Sequence, residues 1–324
     1  MRIFPKNITK QVWQDHLDIY CQTLVHHKDV VYKILSDKHQ HVALNNIYIC
    51  PICLENYFVI TVDGIQGNAE FSLDHVPPKA VGGKHKLITC KKCNNDSGAF
   101  ESELEKTLNF AVDKNDPEAF HIPDIKVNDI NTGIFIKGNL KSKDNKTEIT
   151  FGEKIKKFNP KYVEFLSDLK NKKRVRLDIP LFNRSKIEKS LLKSSYLICF
   201  IWWGYEFVFS KNGELLRKAI KGEIPYPVRV PISWLPDKDN VPTQVCLLED
   251  ESKRLAFLVN IELKGIDAQT TACVVIPNPT PNGWNMLNEV QSLIKTDQHG
   301  LSFSTLPMVV HRFGYTISWN IILD

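Results

Sequence analysis

Four of the eight cysteines in this chain come as two pairs, Cys50-Pro51-Ile52-Cys53 and Cys90-Lys91-Lys92-Cys93, separated by residues 54–89. Each tight pair offers two thiolates to one ion, and a fold that brings the pairs together completes a tetrahedral four-cysteine zinc site. A redox-active Cys-x-x-Cys is the rival reading. Two pairs flanking one compact segment, without a thioredoxin-like pattern around either, favour the metal. Such a site is closed and structural, and it contributes folding energy that a small, strand-poor module does not draw from its own core. Cys21, Cys199, Cys246 and Cys273 stand alone and read as small buried hydrophobes.

Between the pairs runs Phe71-Ser72-Leu73-Asp74-His75-Val76-Pro77-Pro78, then Gly82-Gly83, His85, and Cys90-Lys91-Lys92-Cys93-Asn94-Asn95-Asp96-Ser97-Gly98. The order Cys-x-x-Cys, Asp-His-Val-x-Pro, Gly-Gly, His, Cys-x-x-Cys-Asn resembles the zinc-stabilised ββα-metal module of HNH endonucleases, over about residues 47–112. The resemblance implies that His75 is the general base, that Asp74 and Asn94 bind a catalytic Mg²⁺ or Mn²⁺, and that Cys50, Cys53, Cys90 and Cys93 hold a structural Zn²⁺. It implies DNA cleavage leaving 5′-phosphate ends, and the family's habits point to restriction or anti-phage defence. The family's middle position, five residues before the third cysteine, is usually Asn; here it is His85, which would orient or assist.

The residue types suit that chemistry on their own terms. Phosphodiester hydrolysis needs an activated water and stabilisation of charge on the phosphorus oxygens and the leaving oxygen. Imidazole, with an ordinary pKa of about 6.5, takes a proton from water at neutral pH. A carboxylate and an amide oxygen are hard ligands for an ion that keeps several waters. Adjacent strand residues point to opposite faces, so Asp74 and His75 share a site only if Pro77-Pro78 forces a bend. Asn95 and Asp96 compete with Asn94 as ligands, unless Asp96 or Ser97 caps the following helix. Lys79, Lys84, Lys91 and Lys92 either contact phosphates or are solvated. His26-His27 and His39-x-His41 lack companions at matched spacing and read as non-metal.

Several elements must position these groups. Val12, Trp13, Leu17, Tyr20, Leu24, Val31 and Leu35 carry the period of an amphipathic helix or helix pair over residues 10–36. Short β-type runs follow at Tyr57–Val62 and Phe71–Leu73. A helix from about Asp96 to Val112 repeats Phe100, Leu104 and Leu108, with Glu101, Glu103 and Glu105 toward its N-terminal end. Residues 124–151 suggest a small antiparallel unit. Beyond residue 160 a helical pattern over Ile187–Ile201 gives way to strands at Gln244–Leu248, Ala256–Leu263 and Thr271–Ile276, an α+β ordering. Trp202, Trp203, Tyr205 and Phe207 read as core more than as base-stacking surface.

The expected organisation is an N-terminal helical segment (1–45), a treble-clef-like ββα module (46–118), a small β unit with a basic region (119–160) and an α+β recognition or regulatory domain (161–324). Charge is uneven: residues 1–120 hold 13 basic and 15 acidic side chains, residues 121–222 hold 22 and 11, and the rest 7 and 11. Lys154, Lys156, Lys157, Lys170, Lys172, Lys173, Arg174 and Arg176 cluster as in proteins that neutralise nucleic-acid phosphates, or form a solvated lysine-rich face. With 43% apolar and 24% charged residues, disordered and fibrous classes are excluded. No run reaches the roughly 20 apolar residues that span a bilayer, and the N-terminus lacks a signal-like apolar stretch, so the reading is cytoplasmic with no membrane partner. Double-stranded DNA is the expected partner, a protein partner or self-association stays open, and no residue excludes RNA. The competing class is a zinc-knuckle module that binds nucleic acid or protein without turnover.

Overall fold

The computed structural model describes residues 10–109, 111–112, 120–128, 135–143, 146–151, 176–178, 182–229, 243–250, 253–265, 269–278, 280–295 and 302–305. The described residues are mixed α and β, as expected, and divide into two compact units: Met1–Leu104 with Ser185–Lys264 and Gln269–Asp324, and Glu105–Arg184 with Gly265–Ala268. The described residues of 185–264 and 269–305, expected in a separate C-terminal domain, therefore fall in one unit with those of 10–104.

The first unit opens with α1 (Lys10–Tyr20), a 3₁₀ segment Cys21–His27 and α2 (Lys28–Ile34). Leu17, Leu24 and Val31, spaced by seven, are buried, as the helical period requires. Strands β1 (Ile47–Ile49), β2 (Tyr57–Thr61) and β3 (Gly64–Gly67) form a three-stranded antiparallel sheet. Then come β4 (Phe71–Val76), β5 (His85–Cys90) and α3 (Lys91–Leu108). Tyr48 stacks on Phe58 at 5.1 Å between ring centroids, and Phe71 meets Phe58 edge-on, so aromatic packing ties the small sheet to β4.

The second unit is antiparallel: β6 (Ala111–Val112), β7 (Phe120–Asn128), β8 (Phe135–Lys143), β9 (Lys146–Phe151) and β10 (Arg176–Asp178), in the order β10-β7-β8-β9 with β6 also on β7. The basic positions Lys154, Lys156, Lys157, Lys170, Lys172, Lys173 and Arg174 lie outside the described residues.

The chain returns to the first unit with α4 (Arg184–Phe209) and α5 (Lys211–Lys221), followed by β11 (Gln244–Asp250), β12 (Lys253–Lys264), β13 (Gln269–Pro277), α6 (Gly283–Lys295) and β14 (Ser302–Thr305). The sheet order is β13-β12-β11-β14. Leu248, Leu258 and Val275 of this sheet form one core with Leu287 and Val290 of α6. Helix α4 is apolar nearly all round and buried accordingly, the pattern of a core helix. Trp203 stacks on Phe257 at 4.7 Å, and Tyr205 and Phe207 are buried, so these aromatics are core as expected. Among the described residues no helix is long and apolar enough to cross a membrane.

One backbone feature of α4 sets up the site. Gly204 interrupts the helix at φ 58°, ψ −143°, a left-handed φ that side-chain-bearing residues rarely adopt, and a Cβ there would come within 2.9 Å of Thr23 Oγ1. The break turns Tyr205 back toward β1: its hydroxyl accepts from Ile49 N–H at 2.8 Å and donates to the Ile49 carbonyl. Tyr205→Phe leaves that buried N–H without its partner, so urea melts of this variant should show a loss of about 1–3 kcal/mol with an unchanged m-value.

Candidate active site and metal centre

The segment β4–β5–α3 is a ββα unit, and a sulfur atom makes its last junction. Cys90 ends β5 and immediately precedes α3, and its Sγ accepts from the Cys93 N–H at 3.4 Å, the position an N-cap oxygen would hold. The helix therefore begins at Lys91 rather than near Asp96, and neither Asp96 nor Ser97 caps it. The apolar repeat carries no trace of this turn, because the cap is a metal-type ligand.

The four paired cysteines converge, with their sulfurs all within 4.8 Å of one another and Cys53 Sγ 3.9 Å from Cys90 Sγ. Tetrahedral bonds of about 2.3 Å to zinc place sulfurs roughly 3.8 Å apart, so the cluster could hold such an ion. Hydrogen bonding from Cys50 lowers the Cys53 thiol to about 7, whereas burial pushes Cys50 well up. The first knuckle is braced from α4. Tyr196 donates to the Pro51 carbonyl at 2.6 Å and itself accepts from Arg217 at 3.1 Å, while Tyr205 holds Ile49. Leu54, at φ 61°, turns the chain after Cys53 and donates its N–H back to the Cys50 carbonyl.

The hairpin is regular along its whole length. Asp74 pairs with Leu87, His75 with Lys86 and Val76 with His85. The pleat therefore puts Asp74 and His85 on one face and His75 with Lys86 on the other. The expected bend does exist, as a cis Val76–Pro77 peptide, but it lies beyond both residues and does not bring them together. His75 is half-buried. Burial first, then the charges of Lys86 and Lys79, lower its pKa from the ordinary histidine value, which keeps the ring neutral and able to accept a proton. His85 lies at the surface with its ring set partly into a cavity of about 190 Å³ that Pro77, Lys84, Thr243 and Glu262 also line, and this partial burial, then Lys84, lowers its pKa.

Asp74 is engaged elsewhere. Its carboxylate is 2.7 Å from Lys193 Nζ of α4, with both side chains almost wholly buried, and Thr89 Oγ1 donates to it at 3.4 Å. Lys193 also reaches Glu101 Oε1 at 2.6 Å and Ser97 Oγ at 2.8 Å. Burial pushes the Asp74 carboxyl up from the usual carboxylate range, with Lys193 drawing it part of the way back. Burial also works against the Lys193 ammonium, but Asp74 and Glu101 outweigh it and hold its pKa above the usual lysine value. Asn94 stands in the first turn of α3, as expected, and its amide donates to Ser72 Oγ at 2.9 Å and the Leu73 carbonyl at 3.2 Å. Mg²⁺ and Mn²⁺ need open, hydrated coordination space. A closed carboxylate already neutralised by an ammonium does not supply it, so Asp74 and Asn94 as placed do not fit the expected ion.

Sequence reasoning missed Lys193, Glu101 and Ser97 as members of this cluster. The available signal was a lysine within the apolar face of a core helix, a placement that is costly without a partner. Of the other positions considered, Asn95 and Asp96 are exposed, Lys91 pairs with Glu70 at 2.8 Å and Lys84 with Glu262 at 3.7 Å. His26 and His27 bond Glu206, and buried His39 bonds Ser36 and Tyr57. Among the described residues the four cysteines are the one set of three or more His, Cys, Asp or Glu groups close enough to share an ion. Comparison with known proteins finds no matching family model, no similar curated protein and no similar solved structure.

Proposed function

We propose that this chain is an HNH-type nuclease that hydrolyses DNA phosphodiester bonds, with His75 as the base on a ββα unit pinned by a zinc-binding cysteine cluster. The observation that carries the reading is the state of His75: a half-buried imidazole on the hairpin face away from the Asp74 ion pair, with its pKa lowered, flanked by Lys79 and Lys86. A neutral ring accepts the proton as water attacks phosphorus, the P–O3′ bond breaks to leave a 5′-phosphate and a 3′ oxygen that takes its proton from solvent, and the two ammonium groups stabilise charge on the phosphate oxygens. No step is assigned to Asp74 or Asn94.

A plasmid cleavage assay tests this. His75→Ala should lower the rate by on the order of 10²–10⁴, the usual contribution of a general base, while retaining bound zinc and DNA binding; an unchanged rate removes His75 from the chemistry. The pH profile carries a sign as well. The active form is the unprotonated ring and its pKa is lowered, so the rate should be flat at neutral pH and fall only below about pH 6.5, the ordinary histidine value.

A second reading is favoured by one observation, the closure of Asp74 with Lys193 on the face opposite His75. It makes the chain a non-catalytic zinc-knuckle module that binds nucleic acid or protein. Duplex binding without cleavage under any divalent-ion condition, unaltered by His75→Ala, would select it.

A further inference from the structure

We propose that the Lys193 ammonium is the resident cation of the ββα unit, occupying the space between β4 and α3 that the resemblance reserves for a divalent ion, so that the protein binds no Mg²⁺ or Mn²⁺ through Asp74.

The cradle is rich in oxygen and comes from two elements. Asp74 projects from β4, and Ser97 and Glu101, one turn apart on α3, face it. Asn94, three residues before Ser97, is bonded to the same strand. Two carboxylates and a hydroxyl converging in a buried space call for a positive charge. The ammonium supplies it: its three N–H donors match the three oxygens at 2.7, 2.6 and 2.8 Å. Those separations are charge-assisted hydrogen bonds; Mg²⁺–oxygen bonds are near 2.0–2.1 Å with an octahedral shell that keeps several waters. Asp74 is 2% and Lys193 3% exposed, and the cavity of about 280 Å³ that Ser97 and Lys193 line does not include Asp74, so a hydrated ion meets the ammonium before the carboxylate. An entering dication would also have to expel a charge tethered to α4, because the two cannot share one carboxylate at contact distance without strong repulsion.

Ion occupancy at Asp74 is separable from turnover. The test is an EPR count of Mn²⁺ bound to the zinc-loaded, full-length protein, alone and with duplex DNA, for wild type, Asp74→Asn, Lys193→Ala and the Lys193→Ala/Asp74→Asn double variant. Wild type and Asp74→Asn should bind the same amount of Mn²⁺ at millimolar concentration. Lys193→Ala should gain a single Mn²⁺ that the added Asp74→Asn removes. Mn²⁺ bound by wild type and lost in Asp74→Asn overturns the proposal, as does a folded Lys193→Ala that gains none; should Lys193→Ala fail to fold, the comparison of wild type with Asp74→Asn decides alone. Absence of plasmid cleavage would remove the nuclease reading and leave this inference untouched, whereas Asp74-dependent Mn²⁺ would do the reverse.

Discussion

Cys90→Ser should unfold the ββα unit and its brace rather than weaken them. Cys90 closes β5, caps α3 through its sulfur and sits in the four-sulfur cluster, so one substitution removes a cluster thiol and a helix start together. Structural zinc contributes apparent free energies of about 10–16 kcal/mol in small zinc-finger peptides, whereas a whole domain is stable by roughly 5–15 kcal/mol. Even a third of the metal term is a large share of that margin. Chelation of the wild-type protein should have the same consequence: loss of the metal by mass spectrometry, loss of the cooperative thermal transition followed by circular dichroism, and recovery on adding zinc back. A protein purified without metal, with a transition indifferent to chelator, would show the cluster to be a set of ordinary thiols.

The cluster was legible because its information is local: two knuckles at fixed spacing need only one fold that joins them. The helices over 10–36 and the strands near 244, 256 and 271 were legible for a related reason, since their apolar periods survive whatever they pack against. What spacing does not carry is facing. Asp74 and His75 are neighbours in sequence, but a strand that stays regular through Val76 sends them to opposite sides, and nothing in the dipeptide says whether Pro77 bends the chain one residue too late. The partner of Asp74 lies more than a hundred residues away, in a helix whose apolar run reads as core. A buried lysine is costly alone and acceptable beside two carboxylates, and only the fold says which applies. The same long-range assembly explains why helix α4 joins the first unit: Tyr196 and Tyr205 find their partners at Pro51 and Ile49, and no local signal announces that.

Lys193→Met is expected to destabilise the protein by about 3–5 kcal/mol, the usual consequence of removing one partner from a buried ion pair. Methionine replaces most of the volume but leaves Asp74 and Glu101 facing each other across an apolar gap. The deficit should depend on pH with a definite sign. Burial raises the Asp74 pKa and the Lys193 ammonium is what pulls it back, so without Lys193 the carboxyl rises further. A group with a raised folded-state pKa gives its full stabilising contribution below its unfolded value, about 3.9, and loses it as pH climbs through the folded value. The variant should therefore be worst at neutral pH and approach wild type as the medium becomes acidic and Asp74 takes up its proton. Wild type should behave differently at the alkaline end, where the raised Lys193 pKa means that the ammonium's contribution persists past the usual lysine value near 10.4 and is lost only above it. Adding Asp74→Asn to Lys193→Met should restore part of the loss, and a double-mutant cycle measured at pH 7 and again in acid should show a coupling energy that shrinks with protonation. A coupling that is absent at pH 7, or that does not change in acid, would mean that the contact between Lys193 and Asp74 is incidental to the fold.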